Sequence, residues 1–400
     1  MNYYMMPKNN INIKFNLQLT NQTIEPYISY SLIFYMNDIY KQLFKLQESI
    51  KEDNDSMTLE YLNKIVNPFE FIHSNVPGST IAVSKVKPDS TIFFELMELF
   101  QIFNINDILS LKHKINIAYF THNYASTNYL LNMLREDNED NVIFKEFNYN
   151  NLYESFITNS YENKLDLIIC EFYPSEYSDT KTYTNNMLLI LLIISKYQMH
   201  NGISIIKIDN ILYKAIIDII FILSRMYGNV YLVKPSISNI TKGERYLVCN
   251  GFYNDVQNHN KLLQNIEENI ILQLNSNTNT NTNTNTNTNT NTNTNKLTDK
   301  YIISVIDNEL PYYLLNKIEE SNLVIGQQQL EAYDQIINIF KNKNREEKIE
   351  HLKRIHIQKC IQWCEKNQLP HNKFIDKINI FLTPRKKQND ECNSICITDT

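Results

Sequence analysis

Six apolar runs of strand length recur between residues 113 and 253: INIAYF (115–120), NVIFKEF (141–147), LDLIICEF (165–172), ISIIKID (203–209), NVYLVKP (229–235) and RYLVCNGF (245–252). Helix-length stretches separate several of them, at Ser126–Arg135, Thr184–Met199 and Ile211–Tyr227. Strands that alternate with helices are joined by crossovers, which lay each strand parallel to its predecessor and leave helices on both faces. The pattern predicts an α/β domain with a mostly parallel sheet. The last two runs are joined only by Pro235–Glu244, which holds no helix, so they are expected to form a hairpin-like antiparallel edge.

Composition supports a folded chain and narrows its partners. Hydrophobic residues make up 43% and aromatics 12% of the 400 residues, enough to fill the core of such a sheet. A formal net charge of −6 is against coating nucleic acid by bulk electrostatics, so any RNA contact must be a local basic patch. The longest apolar run, Met187–Ser195, is far shorter than the ~20 residues of a membrane helix and reads as a buried helix. No opening segment has the order of a secretory signal, so an intracellular, reducing setting is expected. Cys170 and Cys249 lie inside strand-like runs and read as core. Heavy use of Asn, Ile, Lys and Tyr with scarce Gly is the drift of an AT-rich genome.

Around the α/β domain at 67–256, the expected organisation is a helical N-terminal extension at 1–66, a helix at 257–274, a linker at 275–295 and a helical C-terminal region at 296–400. The linker is an uninterrupted Asn-Thr repeat without an apolar residue, so it buries nothing to offset its ordering entropy. Beyond it, Glu331–Lys341 and Arg345–Lys366 have apolar residues at helical spacing and suggest an all-helical appendage. His356, Cys360 and Cys364 share one helical stripe, with Cys392 and Cys396 following. Zinc and an inward-packed face both fit that stripe, and the loose CxxxC spacing favours packing, so no metal is assigned. The basic run Lys341–Lys359 and the triplet Arg385, Lys386, Lys387 form the best surface for an RNA backbone or an acidic partner.

The segment Lys234–Phe252, KPSISNITKGERYLVCNGF, resembles the signature of the FtsJ-like RNA 2′-O-methyltransferases, with matches at Lys234, Pro235, Ser238, Glu244, Tyr246, Gly251 and Phe252. NGISIIKI (201–208) resembles the family strand that delivers the catalytic lysine, here Lys207. LDLIICE (165–171) resembles the strand ending in the catalytic acid, here Glu171. NPFEFIH (67–73) and Ser90–Leu99, STIFFELMEL, resemble stretches ahead of the domain in cap 2′-O-methyltransferases, including those of large DNA viruses. The resemblance implies a Rossmann-like, S-adenosylmethionine-dependent methyltransferase fold. It also implies RNA as partner, the mRNA cap region among its targets, and a protein partner in a capping or transcription complex. No membrane is implied, and the setting would be a host cytoplasm or a virion.

Family chemistry uses a Lys-Asp-Lys-Glu tetrad in which the central lysine takes or steers the ribose hydroxyl proton. Lys207 and Glu244 match, Glu171 stands at the aspartate, and Glu95 aligns with the first lysine as a charge reversal; Lys85 or Lys87 is the candidate replacement cation. The aligned cofactor loop, AYFTHNYASTNYLL (118–131), has no Gly or Asp. Asn123, Ala125 and Ser126 are its candidate cofactor-binding residues, whereas His122 and Tyr124 would intrude. Plainer readings stand beside these: Lys207 as a snorkelling strand-end lysine paired with Asp209, and Glu95 and Glu98 as the solvated face of a helix. Two functional classes remain, an RNA ribose methyltransferase and a catalytically degenerate relative serving as an RNA-binding or scaffold subunit.

Overall fold

The computed structural model describes residues 2–8, 13–52, 57–77, 79–122, 124–135, 139–146, 152, 153, 155, 156, 164–172, 179–253, 264, 268, 300–342 and 346–372. Nearly all of the expected helix at 257–274, the Asn-Thr linker, Asn123, Cys392, Cys396 and the Arg385 triplet lie outside the described residues.

Every apolar run of the central segment is a strand. They are β3 (Asn116–Phe120), β4 (Asn141–Lys145), β5 (Leu165–Cys170), β6 (Gln198–Ile208), β7 (Tyr227–Lys234) and β8 (Arg245–Phe252). The crossover helices are α5 (Tyr124–Leu134), α6 (Thr180–Tyr197) and α7 (Lys214–Met226). Asp179 starts α6 by accepting the backbone N–H groups of Lys181 and Thr182, two donors the first turn leaves unpaired. β4, β3, β5 and β6 run parallel, and β8 inserts antiparallel between β6 and β7. This strand order is that of the Rossmann-like methyltransferase fold, and β3 marks the point where the order reverses.

Burial follows from layering. In β5, Ile168 and Cys170 face an apolar cluster with α6 and α7, while Leu167 and Ile169 face a second cluster on the other side. A strand covered on both faces needs a continuous apolar run rather than alternation, which is what LDLIIC supplies. On the second face lie α3 (Ile92–Ile102) and α4 (Ile105–Ser110).

The terminal additions differ from the sequence expectation. Helices are present, α1 (Tyr30–Glu52) and α2 (Leu59–Val66) before the domain, α8 (Tyr312–Lys341) and α9 (Glu346–Lys366) after it. The N-terminal extension also holds two strands, β1 (Asn2–Met5) and β2 (Phe15–Thr20), and the C-terminal region, expected to be all helical, holds β9 (Tyr301–Ile306). β1 pairs antiparallel with β7 as the seventh strand, so the sheet edge is β1 rather than the β7–β8 hairpin. β2 pairs with β9 in a separate ribbon. That ribbon is fixed by buried Asp218 of α7, which accepts the Val305 N–H at 2.8 Å and the Ser304 hydroxyl at 2.6 Å. These strands lie outside the segment of alternating strands and helices, and their partners are far away in sequence.

Candidate functional site

Register alone brings the central residues together. β5 and β6 pair with Cys170 opposite Ile206, so the next residues, Glu171 and Lys207, leave the sheet side by side at its C-terminal end. β6 and β8 pair with Lys207 opposite Tyr246, which places Glu244, just before β8, at that same end. The Lys207 Nζ lies 3.4 Å from Glu171 Oε1 and 3.2 Å from Glu244 Oε2, as the sequence predicts. A third carboxylate completes the cluster: Glu95 of α3 lies 3.2 Å from the same ammonium. Tyr246 donates its hydroxyl to Glu95 Oε2, and Thr121 donates to Glu171 Oε2 at 2.8 Å.

Burial opposes the charge on Lys207, but Glu95, Tyr246, Glu171 and Glu244 more than reverse that and raise its pKa well above the ordinary lysine value. Burial likewise opposes ionisation of Glu244, yet Lys207 and Lys242 hold its carboxyl below the usual range. The cluster is therefore one protonated lysine held by carboxylates. A general base needs a free lone pair near neutral pH, and this ammonium does not offer one.

Several expectations are corrected here. Glu95 and Glu98 are 5% and 3% exposed, not a solvated helix face. Glu98 accepts the backbone N–H groups of Ser236 at 3.1 Å and Ile237 at 3.2 Å, and the Trp363 indole N–H at 3.1 Å. Lys85 and Lys87 are exposed and supply no replacement cation at the cluster. The second lysine of the site is Lys242, 3.3 Å from Glu244 Oε1, which the sequence reading did not single out although it stands two residues before Glu244. Asp209 feels chiefly its own burial, then the Asn210 backbone N–H and Arg245, while the close ion pairs of Lys207 are the three glutamates. Lys234 is structural: its ammonium donates to the carbonyls of Asn239, Lys242 and Glu244 and so shapes the 235–244 loop. Fully buried Arg245, also missed, ties that loop to α8 through Ser321 and Asn322. Cys360 and Cys364 are buried on the inner face of α9, with Cys360 Sγ 3.7 Å from the Pro68 carbonyl, so the stripe is a packing surface.

The cluster forms the floor of a cleft of about 240 Å³ whose lining includes Asn67, Glu70, His73, His122, Phe172 and Lys242. Ligand pockets ordinarily run from roughly 300 to 1,000 Å³. The residues of the expected cofactor loop do not fit S-adenosylmethionine in the family manner. Tyr124, at the start of α5, places its ring 4.5 Å from that of Phe144 on β4, beside the C-terminal ends of β3 and β4. Ser126 is buried and its Oγ accepts the Ser90 N–H at 2.8 Å, and Ala125 points to the exterior, so neither lines the cleft.

No protein-family model and no curated protein matches the sequence. Solved structures do. A Plasmodium falciparum protein assigned as a ribosomal RNA methyltransferase is 17% identical, over 41% of this chain and 97% of that chain, with a TM-score of 0.32. A Corynebacterium glutamicum protein assigned as a spermidine synthase is 9% identical, over 47% of this chain and 76% of that chain, with a TM-score of 0.31. At these scores neither likeness bears on activity, and the fold assignment rests on the strand order.

Proposed function

We propose that this chain is a methyltransferase-fold protein of RNA 2′-O-methyltransferase descent that no longer transfers methyl groups and serves as a binding subunit of an RNA-processing assembly. The observation that carries this reading is the pairing of Glu95 with Lys207 at 3.2 Å. A negative charge there stands in place of the cation that would help release the central lysine's proton, and it favours that lysine's protonated form. The glycine-free loop after β3, with the Tyr124 ring packed on Phe144, supports the same conclusion from the cofactor side. An RNA contact, on this reading, falls on the outward face of α9, where Lys348, Arg354, Lys359 and Lys366 are exposed.

Calorimetric titration with S-adenosylmethionine, together with methyl transfer to capped and uncapped RNA, tests the proposal. The expected result is neither binding nor transfer, with RNA affinity lowered by Arg354→Glu and Lys359→Glu. Methyl transfer to a ribose hydroxyl that disappears in Lys207→Ala would overturn it.

A further inference from the structure

The charge reversal at Glu95 removes an old property and also supplies a new one. Four carboxylates, Glu70, Glu95, Glu171 and Glu244, line the cleft, against the two ammonium groups of Lys207 and Lys242. Both lysines are spent on the three carboxylates of the floor. Glu70, on the opposite wall, belongs to the short helical turn Glu70–His73 and carries a hydrogen bond at 3.0 Å from Asn67 Nδ2. Burial pushes its carboxyl above the ordinary value, and Asn67, Lys64 and the Asn75 backbone N–H only partly oppose this, so the charged form is incompletely compensated.

Asn67 provides an independent sign that this wall lacks a partner. The side chain is 6% exposed and lines the cleft, and its Oδ1 has no hydrogen-bond partner. Donation of Nδ2 to Glu70 fixes the amide, so the unmatched atom is an acceptor beside a second acceptor. Buried acceptors without donors are costly, by about 1–3 kcal/mol each. The wall asks for a group rich in N–H donors and positively charged. Phe69, Ile72, Ile92, Phe172 and Ile237 add apolar lining suited to a methylene chain.

We propose that the cleft above Lys207 is a receptor for a primary ammonium on an alkyl chain, which is bound between Glu70 with Asn67 on one wall and the glutamate cluster on the floor. This rests on the reading that methyl transfer has been lost. An anionic RNA backbone is repelled by the same excess of carboxylates. A metal ion is a poorer match, because Lys207 already sits where the floor carboxylates converge and no metal-holding group exists among the described residues. The ammonium comes either from a free polyamine or from a lysine side chain of a protein partner.

The experiment is calorimetry and thermal unfolding of the full chain with 1,4-diaminobutane at constant ionic strength. Parallel arms use a lysine-containing peptide, its acetylated form, and magnesium chloride. Saturable binding of the diamine, weakened roughly tenfold or more in Glu70→Gln, is the expected result, since one charge-assisted contact is removed. Binding of the peptide but neither the diamine nor the acetylated peptide supports the proposal and assigns the ammonium to a protein. No saturable binding of either amine, an equal effect of magnesium, or undiminished affinity in Glu70→Gln overturns it. Glu70 lies outside the floor cluster, so its variant is expected to fold, and Glu95→Gln gives a second test by removing one of the excess charges. Methyl-transfer assays on the same preparations keep the two readings apart: transfer would sink the loss of activity, whereas absent transfer with absent amine binding would sink this inference alone.

Discussion

Glu95 Oε2 accepts the Tyr246 hydroxyl and stands 3.2 Å from the Lys207 ammonium, so one carboxylate oxygen joins α3 to both β6 and β8. The pairing acts as a structural clamp. Lys207→Met would leave the buried carboxylates of Glu95 and Glu171 without their cation, and removing one partner from a buried pair costs about 3–5 kcal/mol. Urea unfolding should register that loss. Adding Glu95→Gln to Lys207→Met should restore part of it, and additive effects in the double-mutant cycle would contradict the clamp.

Two groups make stability rise with pH, in separate windows. Glu244 ionises more readily in the fold than its ordinary value of 4.5, so its contribution is complete above that pH and is lost as pH falls through the lower folded value. Burial, and then Arg245, push Lys234 down to about 7 from 10.5. Between those two values the unfolded chain binds a proton that the fold does not, so stability should rise from pH 7 toward pH 10. Chemical denaturation at pH 7 and pH 9 measures this rise, and Lys234→Met should flatten it.

Trp363 reaches the 235–244 loop through Glu98, which also accepts from Ser236 and Ile237. Trp363→Phe keeps the ring against Phe94 but removes the indole donor. The expected loss is about 1–2 kcal/mol, the size of one hydrogen bond to a charged group. Faster amide exchange at Ser236 and Ile237 should accompany it, and unchanged exchange would show that α9 does not steady the loop.

Gly326 sits where α8 meets α1, and an added Cβ would lie 2.2 Å from Leu32 Cδ1. Gly326→Ala gains helix propensity but must displace a packed leucine, so a net destabilisation of about 1–3 kcal/mol is expected. The Leu32→Ala, Gly326→Ala pair should recover part of the loss if the clash is its cause.

The sequence made the sheet legible because the central strands are apolar runs that alternate with helices or turns. Lys207, Glu171 and Glu244 were legible too, since strand register carries them to one end. Glu95 was legible only through the resemblance that aligns it with the first tetrad position; the burial of Glu95 and Glu98 was not, because STIFFELMEL places them at the spacing of an ordinary wet helix face. Their burial depends on Trp363, the Ser236 loop and Tyr246, none of them near in sequence. β1 and β9 escaped for a related reason: strands of 4 and 6 residues take their identity from partners across the chain.

The β2–β9 ribbon pairs Phe15 with Ile306, joining the beginning of the chain to a strand made long after the central sheet. Closing so large a loop is entropically unfavourable until the contacts that reward it exist. As the chain leaves a ribosome, β3 to β8 have all their mutual partners before β9 is synthesised, while β2 waits. β2 is thus made before the central sheet and paired only after it, and through that interval its FNLQLT strand offers an open edge to any chaperone or neighbouring nascent chain.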